Sequence, residues 1–323
     1  MPRYTMNQAI LAKIETTPGT DASPTGAANA ILVANATFNP LNAQNVDRNL
    51  LRVFMGGSEQ LVGTDYLECS FDVEFQSSGT AGTAAAWGPL VRACGYAETV
   101  TASARVEYNP ISTSFESVTI YYHDDGVLHK MLMARGTFTL DMGIGNRPVF
   151  KFKFIGLDGG ISATANPTET LSAWKTPLVI TDTFTGDITL GAVTYTTGTL
   201  AGGTTYPSRG MTFDAAVKAT YIPLLGGESV DITDRQEAGH FDLDLTAANE
   251  VSFMATVKGN STQGFGFTHG TAAGLTMKLY APAVQLFNPT KQDQNGRRLI
   301  GYDARFVPTT TGSGNDQFRL VAM

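Results

Sequence analysis

The sequence is short of nearly everything that marks an enzyme, a nucleic-acid binder or a disulfide-built scaffold. Among 323 residues there are two cysteines, four histidines and two tryptophans, and charged residues make up only 16%. Two cysteines make no disulfide framework. Cys69 falls on the apolar side of an alternating segment and Cys94 at the end of a helical one, so both read as reduced, buried thiols. With 22 Lys and Arg against 29 Asp and Glu the net charge is -7, the wrong sign for a protein that grips a phosphate backbone through clustered cations. Arg297-Arg298 reads as a solvated loop pair. No apolar run approaches the roughly 18 residues of a membrane helix, and residues 1–12 lack a signal-type apolar core before Lys13 and Glu15. The expectation is a chain made in a cytoplasm with no membrane partner.

Catalytic and cofactor patterns are equally sparse. There is no Gly-x-Ser-x-Gly elbow, phosphate loop, Cys-x-x-Cys or His-Glu-x-x-His, and Gly264, Gly266 and Gly270 lack dinucleotide spacing. His123, Asp124, Asp125 and His129 crowd one turn and have metal-ligand chemistry, but Asp-Asp-Gly is ordinary hairpin chemistry and reads so here. The sequence therefore predicts no enzyme, no cofactor and no metal site.

What is abundant is Gly, with Thr, Ala and Asn, against a hydrophobic share of 42%. Low charge with many turn formers and β-branched residues points to an all-β protein. Ser117 to His123 is rich in β-branched and aromatic residues, Asp125-Gly126 supplies a tight hairpin turn, and Val127 to Met142 runs back. Phe150, Phe152 and Phe154 then alternate with Lys151 and Lys153. Leu67, Cys69, Phe71, Val73 and Phe75 alternate with Glu68, Ser70, Asp72, Glu74 and Gln76, the period-two pattern of a strand with one buried and one wet face. One helix is predicted near 83–95, capped by Thr83 or started at Pro89, and ended by Gly95. Short strands are predicted at Val179 to Thr183, Met211 to Tyr221, His240 to Leu245, Val251 to Val257 and Leu299 to Val307. Asn260 to Gly274 reads as a Gly-rich loop that replaces a second helix.

Much of the first half recurs, in order, in the second. Ala36-Thr-Phe-Asn-Pro40-Leu41 matches Ala219-Thr-Tyr-Ile-Pro223-Leu224, Asp47-Arg48 matches Asp234-Arg235, and Glu68 to Phe75 matches Glu250 to Val257. The Gly143-Ile-Gly145-Asn146 turn with its Phe strand matches Gly312-Ser-Gly314-Asn315 with Phe318, Leu320 and Ala322. The repeat is too long for a solenoid and reads as a duplicated domain: 1–158, a linker at 159–174, and 175–323.

These words also resemble a known family, the tail tube (major tail) proteins of long-tailed bacteriophages. The likeness rests on Ala9-Ile-Leu-Ala-Lys-Ile-Glu-Thr-Thr-Pro-Gly19-Thr, on Asp47-Arg48 and the long loop behind it, and on Gly88-Pro-Leu-Val-Arg-Ala-Cys-Gly95. It continues through Tyr108-x-Pro110 before Ser117-Val-Thr-Ile-Tyr, Asp125-Gly126 with Ala134-Arg-Gly136, and the closing Gly-Asn turn and strand. The resemblance implies a β-sandwich or partial barrel flanked by a helix, present here as two tandem units. Their inner strands would join those of other copies in a ring-wide barrel. It further implies a trimer with pseudo-sixfold symmetry, stacked into the virion tail after assembly in the host cytoplasm. Tape measure, terminator and distal tail proteins would be neighbours, and double-stranded DNA would pass through without specific binding. On that reading Glu68, Asp72, Glu74 and Glu250 are expected to line the lumen. Asp47, Arg48, Asp234 and Arg235, each pair in a long loop, are expected to contact other subunits. The competing readings are another virion β protein (decoration, terminator or baseplate component) and a carbohydrate-binding β-sandwich, which needs an exposed aromatic platform.

Overall fold

The computed structural model describes residues 2–309 and 314–323. In chain order the first half contains β1 (Gln8–Ile14), α1 (Gly26–Asn29), β2 (Ala30–Ile31), β3 (Ala34–Asp47), β4 (Gln60–Glu74), α2 (Gly88–Ala93), β5 (Tyr96–Thr101), β6 (Arg105–Pro110), β7 (Val118–Asp124), β8 (Val127–Gly143) and β9 (Val149–Ala163). The second half contains β10 (Ile188–Gly191), β11 (Thr194–Thr196), β12 (Thr199–Ala201), β13 (Thr204–Tyr206), β14 (Ser208–Asp214), β15 (Val217–Leu224), β16 (Gly227–Arg235), β17 (Ala238–Leu243), α3 (Ala247–Lys258), β18 (Thr262–His269), β19 (Met277–Gln294), β20 (Arg297–Phe306) and β21 (Arg319–Ala322). Strand dominates, and no described helix is long and apolar enough to cross a membrane.

The layer that matters most is one antiparallel run of eight strands, β3-β4-β9-β8-β14-β17-β20-β19. The first four come from one half and the last four from the other. In each half a strand pair (β3–β4, β14–β17) leads to a helix (α2, α3) and then to a hairpin (β7–β8, β18–β19) whose return strand runs back beside a last strand (β9, β20). The join is the β8–β14 ladder, where Gly210 opposes Gly143. Gly210 has φ +99, and a Cβ there would stand 2.0 Å from the Met142 carbonyl oxygen, so the position needs glycine on both counts. The second layer consists of β2-β1-β7 and of β5-β6-β21-β19-β18-β10-β13. β8 and β19 bend from one layer to the other and so tie the two together.

Alternation explains the core. The ladder row Val73, Phe150, Leu140, Phe213, Gly239, Ala304, Leu286 points inward across all but one edge strand of the eight. That row and the inward Phe138 and Phe241 beside it meet aromatic partners on or next to the second layer and α2: Trp87 lies 5.1 Å from Phe150, Tyr96 5.4 Å from Phe138, Phe265 5.7 Å from Phe241, and Phe318 stacks on Phe213 at 3.8 Å. Each buried phenylalanine contributes about 1.5–3 kcal/mol by leaving water. The apolar cluster is continuous through both halves. Much of the expected linker is tied to the first half: 159–163 finish β9, Thr170 N–H donates to Gly26 O, and the Trp174 indole donates to Ala30 O.

Three expectations fail here. Val251 to Val257, read as a strand, lies in α3. Thr246 caps α3 by accepting from Asn249 N–H, Glu250 sits in the first turn and Lys258 in the last, and those end signals outweigh the alternation. The second half therefore keeps a helix, and Thr262 to His269, inside the expected loop, is strand β18. Of the two starts expected for the first helix the later one fits: it starts at Gly88 with Pro89 in its first turn and no side-chain cap, and the Trp87 indole donates to Gln76 O at 2.7 Å. Residues 179–183 form no strand, although Ile180 is buried. The Gly312 end of the closing turn lies outside the described residues.

Candidate functional site

The outward face of the eight-stranded sheet is polar along two cross-strand rows that run through both halves. One passes Asp72, Lys151, Thr139, Asp214, Ala238, Arg305 and Gln285. The next passes Glu74, Val149, Asp141, Thr212, His240, Asp303 and Phe287. Asp72 accepts from the Asn35 side chain at 2.7 Å, Glu74 pairs with Arg147 at 2.6 Å, and Lys151 pairs with Asp141 at 3.4 Å. Acids thus share the face with Lys151 and Lys153, both exposed, and the surface is mixed in sign with carboxylates in excess. Glu68 is set apart, in a cleft of about 450 Å³ between the sheet and β15 that Tyr66, Lys153 and Tyr221 also line.

In the second half the strand in the place of β4 is β17, and its outward residues are His240 and Asp242, with Asp244 just beyond. His240 lies 2.9 Å from Asp303 through Nδ1 and 3.1 Å from Asp242 through Nε2, and Arg297 pairs with Asp244. The His240 hydrogen bond, helped by Asn288, holds Asp303 below the usual carboxylate range. Glu250, matched to Glu68 from the sequence, is instead on α3 in an ion pair with Lys291 at 3.0 Å. The row His240, Asp242, Asp244 shows the strand alternation that Glu250 lacks, and that was the signal to follow.

Two hairpins leave the same rim of this sheet. β3–β4 extends past Asn42, opposite Tyr66, to a loop at 48–59, and β15–β16 leaves the end of β14 and turns at Leu225-Gly226. Tyr66 and Tyr221 stack between them at 5.1 Å. The first hairpin is bare: Leu41, Val46, Leu61 and Val62 are each about half exposed or more, and Leu51, Val53 and Met55 are fully so. Asp47 and Arg48 stand on it, with Asp47 accepting from Gln60 at 2.6 Å and Arg48 paired to Glu59.

The second hairpin is held down. Arg135, 5% exposed, donates to Val230 O, Asp231 and Phe115 O, and Val217 N–H donates to Thr137. Asp234 and Arg235 were expected in a long loop, yet they end strand β16. Asp234 is exposed, whereas the Arg235 guanidinium is buried. It donates to Gly95 O and Ile111 O, stands over the Tyr96 ring, and lies 2.8 Å from Glu237, a contact that is an ion pair without hydrogen-bond alignment at Nε. Burial pushes the Glu237 carboxyl up, against the pull of Arg235.

The turn at 123–126 is bonded to the N-terminal arm. Asp124 pairs with Arg3, and Asp125 accepts from Tyr4 N–H and Asn7, so the acids dock the N-terminal arm. Among the described residues no group of three or more His, Cys, Asp or Glu is placed to hold a metal ion. Cys69 and Cys94 are free and buried, and burial pushes the Cys69 thiol up to about 12. Trp87 is buried in the core, and Trp174 is half-buried with its indole engaged.

A comparison with curated protein sequences returned no match. A comparison with protein families matched residues 6–317 to one described as phage tail tube protein. With nearly its whole length matched, the chain belongs to the phage tail tube protein family.

Proposed function

We propose that this protein is the repeating subunit of a phage tail tube in which three copies close a ring, rings stack, and the polar face of the eight-stranded sheet lines the bore. Family membership makes it a structural protein of the virion tail, and no catalytic role is assigned to it. The observation that carries the finer reading is the single run of eight antiparallel strands, apolar on one face and polar on the other, whose outer edges, β3 on the side away from β4 and β19 beyond Gln285 on the side away from β20, have no further strand partner among the described residues. Strands about 4.8 Å apart and tilted by about 40° give an eight-stranded barrel roughly 16 Å across, too narrow for a duplex of about 20 Å. Twenty-four such strands, eight from each of three chains, give roughly 48 Å.

Each chain then carries two tube units covalently joined, and six units make the ring. A bore lined by carboxylates in excess, with its lysines interleaved among them, gives passing phosphates no continuous cationic track, so DNA travels without being held. Tape measure, terminator and distal tail proteins would meet the tube at its inside and ends. The carbohydrate-binding reading is the less favoured one, since Trp87 is buried and Trp174 half-buried. Negative-stain microscopy of the purified protein tests the proposal. Stacked annuli with threefold class averages are the expected result, and monomers or single closed discs at all concentrations would overturn it in favour of a terminator or decoration role.

A further inference from the structure

The two halves of the chain form between them a cleft of about 710 Å³, within the range of small-molecule sites. Ile111 and Phe115, between β6 and β7, line it from the first half, and Ile232 on β16 and Phe306 at the end of β20 line it from the second. Arg235, Glu237 and Gln317 add a polar floor to these apolar sides. Gln317 is only 7% exposed. Its Nε2 donates to Glu237 at 3.2 Å, and its Oε1 has no hydrogen-bond partner in the protein among the described residues. A buried acceptor left bare costs about 1–3 kcal/mol, so packing alone gives no reason for a glutamine here. A donor from outside does.

The charges around the floor narrow what that donor belongs to. Arg235 spends donors on Gly95 O and Ile111 O and lies 2.8 Å from Glu237, so the buried pair is neutral as a whole. Asp234 and Arg305, both exposed on the cleft's lining, are again of opposite sign. Neither an anion nor a cation gains a clear partner, and what stays open is an acceptor. We propose that this cleft is a binding site for a small uncharged molecule with a compact apolar body and one N–H or O–H group. The body lies among Ile111, Phe115, Ile232 and Phe306, and the N–H or O–H donates to Gln317 Oε1. Because residues of both halves line the cleft, the ligand ties the first unit to the second and stabilises the folded chain in proportion to its occupancy.

The test is calorimetric titration of the full chain with indole and with benzofuran, which has nearly the same shape and no N–H. Indole is expected to bind saturably, and benzofuran about tenfold more weakly, the difference made by leaving a buried acceptor unpaired. Tryptamine and indole-3-carboxylate, which add a charge of either sign, should both bind more weakly than indole. Gln317→Leu, close in size and without the acceptor, should bring indole down to the benzofuran level. Ile111→Trp, which fills the cleft, should abolish binding of both while a thermal scan without ligand shows that the chain stays folded. No saturable binding of indole, or equal affinity for indole and benzofuran, would overturn the site. Tighter binding of either charged relative would overturn the assignment of an uncharged ligand.

Discussion

Arg48 and Arg235 each follow an aspartate, and from the sequence they are the same word written twice. The structure gives them opposite duties. Arg48 stands at the exposed end of its hairpin, paired to Glu59 on the returning side, with 38% of its side chain exposed. Arg235 is 9% exposed, faces a Glu237 that is 2% exposed, and supplies donors to two carbonyls of the first half. A short motif fixes what a residue can do, and the second layer of packing decides whether it does so inside a fold or at its edge.

That contrast can be broken most directly at the buried site. Arg235→Ala leaves Glu237 and two carbonyls without their cation and should destabilise the chain by about 3–5 kcal/mol; chemical unfolding monitored by tryptophan fluorescence reads this, and a loss under about 1 kcal/mol would show that the pair holds little. Arg48→Glu should change the same unfolding curve by less than about 0.5 kcal/mol, as an exposed substitution does, while sharply lowering tube yield by microscopy. Normal tubes would remove Arg48 from any assembly role. The smallest effect concerns His240 and Asp303. Because Asp303 is held below its ordinary value, the stability it contributes is present above about pH 3.8 and is lost as pH falls through its lower folded value. Asp303→Asn should therefore flatten the acid limb of a thermal-midpoint titration slightly, by a margin kept small because the group is largely solvated. An unchanged acid limb would mean the bond to His240 does not bias that carboxyl.

Much of the architecture was legible because it is written in period two. The Phe150, Phe152, Phe154 strand, the acid-lined strand at 67–76 and the Asp125-Gly126 turn all stand where alternation and turn chemistry put them. Asp125 and Gly126 have φ +42 and +92. The matched words of the two halves do not all fall on like elements. Ala36 to Leu41 and Ala219 to Leu224 both fall in the outgoing strand of a projecting hairpin, whereas Glu68 to Phe75 and Glu250 to Val257 are a strand and a helix. A seven-residue apolar alternation carries no information about which of these it will be. The ends decide, and Thr246, Lys258 and Gly259 were the residues to weigh. The buried seat of Arg235 had no local signal, because the groups that bury it, Tyr96, Ile111 and Glu237, are brought together only by the crossing of β16 over the first half.

The glycine at position 210 has a consequence for how such a chain varies. Where β14 crosses beside β8, the Met142 carbonyl comes so near that position 210 admits hydrogen alone. A saturation library should thus show a sharp column of intolerance at 210, while the loop near 53, where Leu51, Val53 and Met55 are fully exposed, accepts most replacements without harm to folding.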